Sequence, residues 1–407
     1  MILHSIRIPG RQGLQQLLVA NGKIKAISPS DKIPDGAIIA MPGSIPPALP
    51  PDNIILPLSG ALAFPGLVNS HDHLDFNLFP QLGNRFYADY AEWGKDIHQQ
   101  NSNRIIPVMK IPGLLRTRWG LYKNLLNGFT TVVHHGTRLD IGNEELITVI
   151  QDCHSLHSLS GERFWKWKLN RLPAASGLTA IHISEGTSIL AKKEAARLRR
   201  WNLLKRDIVG IHGISLQEKE AKALRALVWC PDSNYFLYDR TADISRLKDK
   251  LPILFGSDST LSSRWNIRRQ LQMARKKGQL SDTELMEALT STPAEVWGLP
   301  SSGRLDTGEQ ADLVVVRAET SATDLDAFYK AGPQDILLVV HKGKIRLFDA
   351  SLASPLLSGG FPDQPFSRIS VYDSIKYVQG DLPGLIRDIR NFYPDVELPA
   401  GLTPIEN

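Results

Sequence analysis

His71 and His73 are the residues of this chain whose spacing most clearly suggests chemistry. They follow an apolar run from 61 to 70, which predicts a buried strand that enters a turn. Side chains on a strand alternate between its faces, so residues two apart point the same way. Two neutral imidazoles that converge on one point form half of a transition-metal site. A pair of polar loop histidines is the other interpretation, and the motif alone does not decide between them.

Further candidate ligands follow other apolar runs of the chain. Six of the eleven histidines and one aspartate stand where a predicted strand ends, and they are His71, His73, His134, His135, His182, His212 and Asp258. In parallel α/β folds, groups at the carboxyl ends of the strands converge on one site. A lone histidine is usually a core or loop residue, but chance placement explains a set of this size poorly.

The predicted elements place these residues on a mostly parallel architecture. Strands are predicted at Leu62–Val68, Thr130–His134, Leu178–Ser184, Asp207–His212, Ala226–Cys230 and Ile253–Ser257. Helices are predicted at Val108–Asn127, Glu144–Leu156, Ser188–Leu204, Gln217–Leu224, Arg264–Lys277 and Ser281–Ala288. This alternation favours an α/β fold with a parallel sheet. Strand-like segments at both ends of the chain, each with a hairpin signal such as Asn21-Gly22, predict a small β domain built from both termini.

Composition and charge exclude several classes of protein. With 42% hydrophobic and 22% charged residues, the 407-residue chain is an ordinary globular protein. Cys153 and Cys230 form no CxxC pair and no disulfide framework, which favours a reducing, cytoplasmic compartment. The sequence contains neither a signal-peptide core, nor a run of about 18 apolar residues, nor a nucleic-acid-binding motif. We therefore expect neither membrane nor nucleic acid as a partner.

A basic cluster between Lys192 and Arg206 contains seven lysines and arginines. Ala195, Leu198 and Trp201 run through it at three-residue spacing. The pattern predicts an amphipathic helix with a solvated basic face. A role in binding nucleic acid or an anionic surface is the alternative.

The ordered motifs of the chain resemble the amidohydrolase superfamily, in its deaminase and chlorohydrolase branch. The motifs that carry the resemblance are PGLVNSHDH at 65–73, GFTTVV at 128–133, HISEG at 182–186, IHG at 211–213, CPDSN at 230–234, GSDS at 256–259, GRL at 303–305 and ADLVV at 311–315. The resemblance covers about residues 1–350. It implies a distorted (β/α)8-type TIM barrel over 61–303 and a small β-sandwich domain built from 1–60 and 304–350, with 351–407 as an appended C-terminal segment.

The resemblance also implies a role for each site residue. Those implied to bind one divalent metal, zinc or iron, are His71, His73, His182 and Asp258. The metal lowers the pKa of its bound water toward neutrality and gives a hydroxide nucleophile. Asp258 can accept the proton of that water, and Glu185 would carry a proton to the leaving amine. His212 would polarise or position the substrate.

The interval from 136 to 177 departs from the resemblance, because it is short for the third and fourth strand–helix units of the barrel. The stretch 164–167 predicts one more strand there. Lys166 and Lys168 lie in this irregular, Trp-rich region. Neither is a credible carboxylated lysine bridging two metals, so one metal is favoured.

The predicted function is hydrolysis of a C–N bond, with deamination of a heterocyclic or amidine-like small molecule as its favoured form. Hydrolysis of an amide, lactam or C–halogen bond is possible with the same residues. A non-catalytic ligand-binding protein or scaffold of the same fold is the alternative from another class. His135 and Asn234 are candidates for substrate contact, although a structural hydrogen bond or a turn cap explains them equally well. The sequence does not decide whether the protein forms a homodimer.

Overall fold

The computed structural model describes residues 1–31, 38–39, 54–142, 145–171, 177–318, 322–358 and 365–405. Within them the chain forms a mixed α/β structure with twenty strands and fourteen α-helices. No helix in this part of the chain is both long and apolar enough to span a bilayer.

The strands fall into three groups along the chain. The N-terminal strands are β1 Ile2–Ile6, β2 Gln15–Ala20, β3 Lys23–Pro29, β4 Ile38–Ile39, β5 Ile54–Pro57 and β6 Leu62–Pro65. The middle strands are β7 Leu67–Asp72, β8 Phe129–His134, β9 Thr148–Ile150, β10 His154–Ser158, β11 Leu178–Ile183, β12 Asp207–His212, β13 Ala226–Trp229 and β14 Ile253–Phe255. The C-terminal strands are β15 Leu313–Val316, β16 Ile336–His341, β17 Lys344–Asp349, β18 Phe366–Val371, β19 Ser374–Gln379 and β20 Leu402–Pro404.

The helices lie mainly between the middle strands. Those before β14 are α1 Tyr90–Gln100, α2 Ser102–Lys110, α3 Gly113–Leu125, α4 Trp165–Leu169, α5 Ile189–Trp201, α6 Glu218–Ala221, α7 Pro231–Tyr238 and α8 Ile244–Leu247. Those after β14 are α9 Ile267–Lys277, α10 Asp282–Glu287, α11 Ser291–Val296, α12 Asp324–Lys330, α13 Ala353–Ser358 and α14 Leu382–Phe392. In the helix predicted at Ser281–Ala288, Ser281 and Glu284 form a capping box at the start of α10.

The eight middle strands form two parallel sheets in chain order, β7-β8-β9 and β10-β11-β12-β13-β14. Every residue of β7 and β8 is buried, as expected for parallel strands covered on both faces. The chain after β14 returns to β7, where the Asp258 N–H donates to the His71 carbonyl at 3.0 Å. The carboxyl ends of the first and last of these strands therefore lie side by side.

The strand predicted at Leu62–Val68 is divided in the structure. β6 pairs antiparallel with β15, whereas β7 pairs parallel with β8. Gly66 stands between them, and a Cβ there would lie 2.3 Å from Thr130 Oγ1. The prediction of a single strand was wrong, because an apolar run does not show that its two halves belong to different sheets.

The helix predicted at Val108–Asn127 is also divided. α2 ends at Lys110 and α3 begins at Gly113, with Pro112 between them. Ile111 is extended, with φ −66° and ψ 129°. A residue before proline avoids the helical region, so the break follows from sterics.

The interval from 136 to 177 contains the two clearest errors of prediction. A helix was expected at Glu144–Leu156, but the described part of that range, from 145 on, contains β9 and β10. The three residues of β9 are β-branched and favour a strand. A strand was expected at 164–167, but α4 lies there and buries Trp165 and Leu169, four residues apart on one helix face. Two short strands and one five-residue helix make fewer than two strand–helix pairs in the described residues, as the spacing predicts.

Two further sheets are built from the ends of the chain. One has the order β3-β2-β1-β5-β4, and the other β20-β18-β19-β17-β16-β15-β6. A shared apolar cluster joins them, with Leu3 and Leu17 from one sheet and Val315 and Leu338 from the other. The predicted hairpin at Asn21-Gly22 is confirmed, with positive φ at both residues. Residues after 351 supply β18, β19 and β20, which join the second sheet through β17.

Candidate active site

Three histidines and one carboxylate converge at the carboxyl edge of the parallel strands. The rings of His71 and His73 lie 4.9 Å apart between centroids. His71 Nε2 lies 3.4 Å from His182 Nε2 and 3.7 Å from Asp258 Oδ1. The possible ligand atoms of the three histidines all lie within 4.8 Å of one another. Three imidazoles and one carboxylate form a donor set that suits a divalent zinc or iron ion.

The protonation of these histidines also suits a metal. His182 Nδ1 lies 2.8 Å from the carbonyl oxygen of His157. Nδ1 therefore carries the proton and donates, which leaves the lone pair of Nε2 directed toward His71. Burial, followed by repulsion from neighbouring imidazoles, lowers the pKa of His71 and of His182 well below the usual value. Lone pairs that face one another in a buried site are stabilised by a cation between them.

The Asp258 carboxylate is held by donors on both oxygens. Oδ1 accepts from the Ser259 N–H at 2.7 Å, and Oδ2 accepts from the hydroxyls of Ser233 at 2.7 Å and Ser262 at 3.0 Å. Burial opposes the charge, but nearby His212 and these donors outweigh it and lower the pKa of Asp258. The carboxylate is therefore ionised and fixed in direction toward the histidines.

Glu185 lies three residues beyond His182 and faces the same centre. Its Oε1 accepts a hydrogen bond from the Tyr238 hydroxyl at 2.9 Å and lies 3.7 Å from His212 Nε2. Burial raises the pKa of Glu185. A buried carboxyl with a raised pKa keeps its proton to a higher pH than an exposed one does, which suits a general acid–base role. Tyr238 has no signal in the sequence, because it reaches Glu185 from the end of α7.

His212 is oriented from behind by Asn234. His212 Nδ1 donates to Asn234 Oδ1 at 2.8 Å, and Asn234 Nδ2 donates to Thr241 Oγ1 at 2.9 Å. The second bond fixes the amide, and the first leaves His212 Nε2 directed at the site. Asn234 thus contacts His212 and is not among the side chains that line the cavity described below.

His135 and His134 differ in their positions although they are adjacent. The His135 ring lies 4.4 Å from that of His182, and its Nδ1 contacts Ser155 Oγ at 3.2 Å. Like Asn234, it is absent from the lining of the cavity and lies behind the candidate ligands. His134 Nε2 contacts the Thr137 carbonyl at 3.0 Å, which is a structural hydrogen bond.

The backbone at two site residues is left-handed. His212 has φ 70° and Asp258 has φ 56°. Such a conformation costs about 1–3 kcal/mol at a residue other than glycine. Both residues stand where a strand ends, and the turn directs the side chain across the carboxyl edge of the sheet.

A cavity of about 80 Å³ opens beside these residues. Its lining comprises His73, Phe76, Tyr90, Trp93, His157, His182, Glu185, His212, Leu237, Asp258, Ser259, Leu261 and Ser262. Its volume is small beside the roughly 300–1,000 Å³ of typical ligand sites. Two larger cavities, of about 570 and 690 Å³, lie against the terminal sheets and are lined by no histidine. Chemistry, not size, therefore identifies the candidate site.

His157 is a cavity residue that the sequence prediction missed. It belongs to β10, whose first three residues fall in the helix predicted at Glu144–Leu156, and lies one residue beyond that helix. Its ring lies 5.2 Å from that of His182 and 5.4 Å from that of Tyr90. Burial, with repulsion from His73, lowers the pKa of His157 to about 4. A neutral imidazole thus faces the cavity at pH 7.

The segment before α1 packs against the loop after β11, and α1 itself supplies Tyr90 and Trp93 to the cavity lining. The Ala88 carbonyl accepts hydrogen bonds from the Thr187 N–H at 2.7 Å and the Ser188 N–H at 3.2 Å. A Cβ at Gly186 would lie 2.4 Å from that carbonyl oxygen, so only glycine permits this approach. The segment before α1 is therefore packed directly on the loop that carries Glu185.

A buried lysine supports the strand that carries His71. Asp72 points away from the cavity, and Lys123 Nζ donates to Asp72 Oδ2 at 3.0 Å, to Ser257 Oγ at 2.9 Å and to the Asp258 carbonyl at 3.0 Å. Asn124 Nδ2 also donates to Asp72 Oδ2, at 2.8 Å. The network ties β7 to the loop after β14.

Replacing Lys123 by methionine is expected to lower the free energy of unfolding by about 3–5 kcal/mol, because it leaves the Asp72 carboxylate buried and unpaired. Lys168→Met is the matched control, since its ion pair with Glu162 is partly exposed and is worth about 0–1 kcal/mol. Chemical denaturation measures both values. Equal losses in the two variants would show that the Lys123 network adds nothing to stability.

Glu194 on α5 holds the turn between His182 and Glu185. Its Oε2 accepts from the Ser184 N–H at 2.9 Å, and its Oε1 accepts from Ser160 Oγ at 3.3 Å. Ser184 has φ 53°, so this bond supports a left-handed residue between two site residues. The side chain of Glu194 itself does not line the cavity.

Glu194→Ala is therefore expected to lower kcat by up to about 10²-fold without loss of metal, because the turn loses its anchor and Glu185 its position. Glu194→Gln is expected to retain most of the activity, since an amide oxygen still accepts from Ser184. Steady-state kinetics with metal analysis distinguishes the two variants. If both lost activity equally, the hydrogen bond to Ser184 would not be the cause.

Comparison with known proteins agrees with this geometry. Residues 178–346 match the sequence model of the Amidohydrolase family. No curated protein matches the chain. Similar solved structures include an adenosine deaminase from Xanthomonas campestris with bound zinc, with 16% identity over 97% of this chain and 99% of that one and a TM-score of 0.63.

Two other similar structures have related activities. An atrazine chlorohydrolase from Arthrobacter aurescens TC1, complexed with zinc, is 15% identical over 84% of this chain and 94% of that one, with a TM-score of 0.61. A guanine deaminase from C. acetobutylicum with bound guanine is 15% identical over 84% of this chain and 99% of that one, with a TM-score of 0.58. At these identities the likeness concerns the fold. Residues 178–346 thus match the Amidohydrolase family model, and the chain has the fold of these two deaminases and this chlorohydrolase, as its motifs predict.

Proposed function

We propose that this protein is a metal-dependent hydrolase that deaminates a heterocyclic or amidine-like small molecule. The observation that carries the proposal is the position of Glu185. Its buried carboxyl, with a raised pKa, faces the same cavity as His182 and Asp258 and lies 3.7 Å from His212. A proton carrier beside a candidate metal site is what loss of an amine requires.

One zinc or iron ion fits the donor set of His71, His73, His182 and Asp258. When bound, it would supply a Lewis acid that makes water nucleophilic near neutral pH. Lys166 and Lys168, the lysines of the interval where a bridging residue would stand, make other contacts. Lys166 Nζ lies over the Trp201 ring at 3.9 Å, and Lys168 Nζ is 2.6 Å from Glu162. Their contacts support one metal per chain.

The side chains of this site divide the proton transfers between them. Asp258, ionised and held by three donors, accepts a proton from the attacking water. Glu185 carries a proton to the leaving amine, with the Tyr238 hydroxyl holding its Oε1. His212, whose Nδ1 donates to Asn234 Oδ1, directs its Nε2 at the site and hydrogen-bonds to the substrate there. His157 offers a neutral imidazole to the cavity beside Tyr90.

We also propose the finer architecture behind this site. The eight parallel strands form a distorted TIM barrel over residues 61–303, a view supported by the bond between Asp258 and His71 that joins the last strand region to the first. The two terminal sheets form a β-sandwich from 1–60 and 304–350, to which β6 and the segment 351–407 add strands. A cytoplasmic location and a homodimer stay predictions of the sequence.

The same residues could serve other hydrolyses. An amide, a lactam or a C–halogen bond can be attacked by the same nucleophile, and one of the similar structures is a chlorohydrolase. A non-catalytic scaffold would gain nothing from a complete ligand set with Glu185 and His212 beside it. That completeness favours an enzyme.

Turnover of a substrate panel tests the proposal. The purified protein is incubated with aminated heterocycles and amidines, and with amide, lactam and chlorinated analogues. Release of ammonia from one of the aminated compounds is expected. Release of chloride without ammonia would replace deamination by dehalogenation, and a metal-loaded protein inert toward the whole panel would contradict the proposal.

A further inference from the structure

An apolar patch is exposed beside α4 and the end of α5. Phe164 and Trp167 are 60% and 61% exposed, and Leu203 and Leu204 are 65% and 41% exposed. The two elements touch, since Asn170 Oδ1 accepts from the Leu203 N–H at 3.0 Å. We call these four residues the apolar patch. Large apolar side chains grouped on a surface mark a site of interaction more often than scattered ones do.

The patch lies away from the candidate active site. Leu203 and Leu204 belong to the loop that enters β12 at its amino end, and Arg206 in this loop donates to the Leu169 carbonyl of α4 at 2.5 Å. His212 of the candidate site stands at the carboxyl end of the same strand. A partner bound at the patch therefore leaves the cavity open to substrate.

Basic side chains flank the patch residues along the chain. Those that are exposed are Arg163, Lys166, Arg171, Arg199, Arg200 and Lys205. The Arg163 guanidinium lies 5.2 Å from the Phe164 ring, and that of Arg171 lies 5.4 Å from the Trp167 ring. Within the described part of the chain, none of the six forms an ion pair. Their charge is free to act on a partner.

The charge of the whole chain is concentrated in this region. Residues 163–206 contain eleven lysines and arginines and two acidic residues, which gives +9 for a segment of a chain whose total is +5 and leaves −4 for the rest. The two acids, Glu185 and Glu194, are buried at the active site and beneath its loop. The outward charge of the segment is therefore entirely positive.

We propose that the apolar patch and its basic rim dock this protein on an anionic lipid bilayer. Trp, Phe and Leu side chains enter the headgroup region of a membrane, and surrounding lysines and arginines are attracted by anionic lipids. Single-stranded nucleic acid is matched less well, because two of the four apolar residues are leucines, which offer no ring for stacking. A second copy is matched less well, because a two-fold interface would bring the two basic rims together. This docking surface is independent of the proposed reaction.

Vesicle co-sedimentation tests the proposal. The full chain is mixed with phosphatidylcholine vesicles and with vesicles that contain about one third phosphatidylglycerol. Binding to the anionic vesicles is expected to exceed that to the neutral ones by about 10-fold or more, and to fall as salt rises from about 0.05 to about 0.5 M. Phe164→Ala with Trp167→Ala, and Arg199→Glu with Arg200→Glu, are each expected to lower the binding by about 10-fold.

The control removes exposed apolar residues elsewhere. Ile106 and Met109 on α2 are 54% and 50% exposed, and their double alanine variant is expected to bind like the unchanged protein. Thermal melting verifies that each variant folds. Absence of binding to anionic vesicles, or equal binding to both kinds, would overturn the proposal. The proposal would also be overturned if vesicle binding were absent and the patch variants instead abolished binding to a single-stranded RNA oligomer or the formation of a dimer in sedimentation.

Discussion

Glu185→Gln is expected to lower turnover by about 10²–10⁴-fold, the usual contribution of a positioned general acid–base group. Metal content and the free energy of unfolding are expected to stay near those of the unchanged protein. An amide has nearly the shape of the carboxyl group and can still accept from the Tyr238 hydroxyl, but it cannot carry a proton to the leaving amine. Steady-state kinetics on the substrate found by ammonia release, with metal analysis and denaturation, measures all three quantities.

Glu220→Gln is the matched control for this variant. Glu220 is 7% exposed and Glu185 is 8% exposed, so both changes remove a carboxylate from a similarly buried position. Glu220 lies in α6, away from the cavity. Full turnover by the Glu185 variant would rule out proton transfer by this residue. Loss of metal instead of rate would make Glu185 a ligand or a structural group.

His182→Ala is expected to abolish both metal binding and activity. The substitution removes Nε2, which lies 3.4 Å from His71 Nε2 at the centre of the cluster, and it removes the bond from Nδ1 to the His157 carbonyl. A site that keeps only two histidines and a carboxylate holds zinc or iron far more weakly. Elemental analysis of the dialysed protein is the direct readout.

The control for this variant is His154→Ala. It removes a half-buried histidine at the amino end of β10. It is expected to keep its metal. If the His182 variant retained a full equivalent of metal, the ion would be bound elsewhere or by other residues. If the two variants lost metal equally, general destabilisation would be the better explanation.

The sequence predicts the residues that meet at the candidate site, because each one follows an apolar run. β12 spans the predicted residues 207–212, and its last residue is His212. In a parallel sheet such ends lie at one edge, so the order of motifs along the chain is enough to bring their side chains together. No knowledge of the loops is needed for that inference.

Other parts of the site depend on contacts that have no local pattern. Lys123 is 51 residues from Asp72, and Tyr238 is 53 residues from Glu185. β9 and β10 follow one another with no helix between them and belong to different sheets, so the alternation of strand and helix that predicts the other strands is missing here. Because that helix is missing, the sequence pattern predicts neither strand and does not show that His157 lines the cavity.

The exposed surface beside α4 likewise depends on contacts that the sequence pattern does not show. The spacing of Ala195, Leu198 and Trp201 correctly predicts the buried side of α5, since two of the three are buried and Trp201 is half-buried. The exposure of Leu203 depends instead on how α4 packs against the end of that helix. An apolar residue in a loop does not reveal from its sequence whether it is covered.

Metal analysis of the purified, unmodified protein tests the central claim most directly. The account predicts one equivalent of zinc or iron per chain, because His71, His73, His182 and Asp258 converge on one centre, while Lys166 and Lys168 contact Trp201 and Glu162 instead. Elemental analysis after gentle purification without chelators gives the number. Two equivalents per chain, or none, would contradict the account.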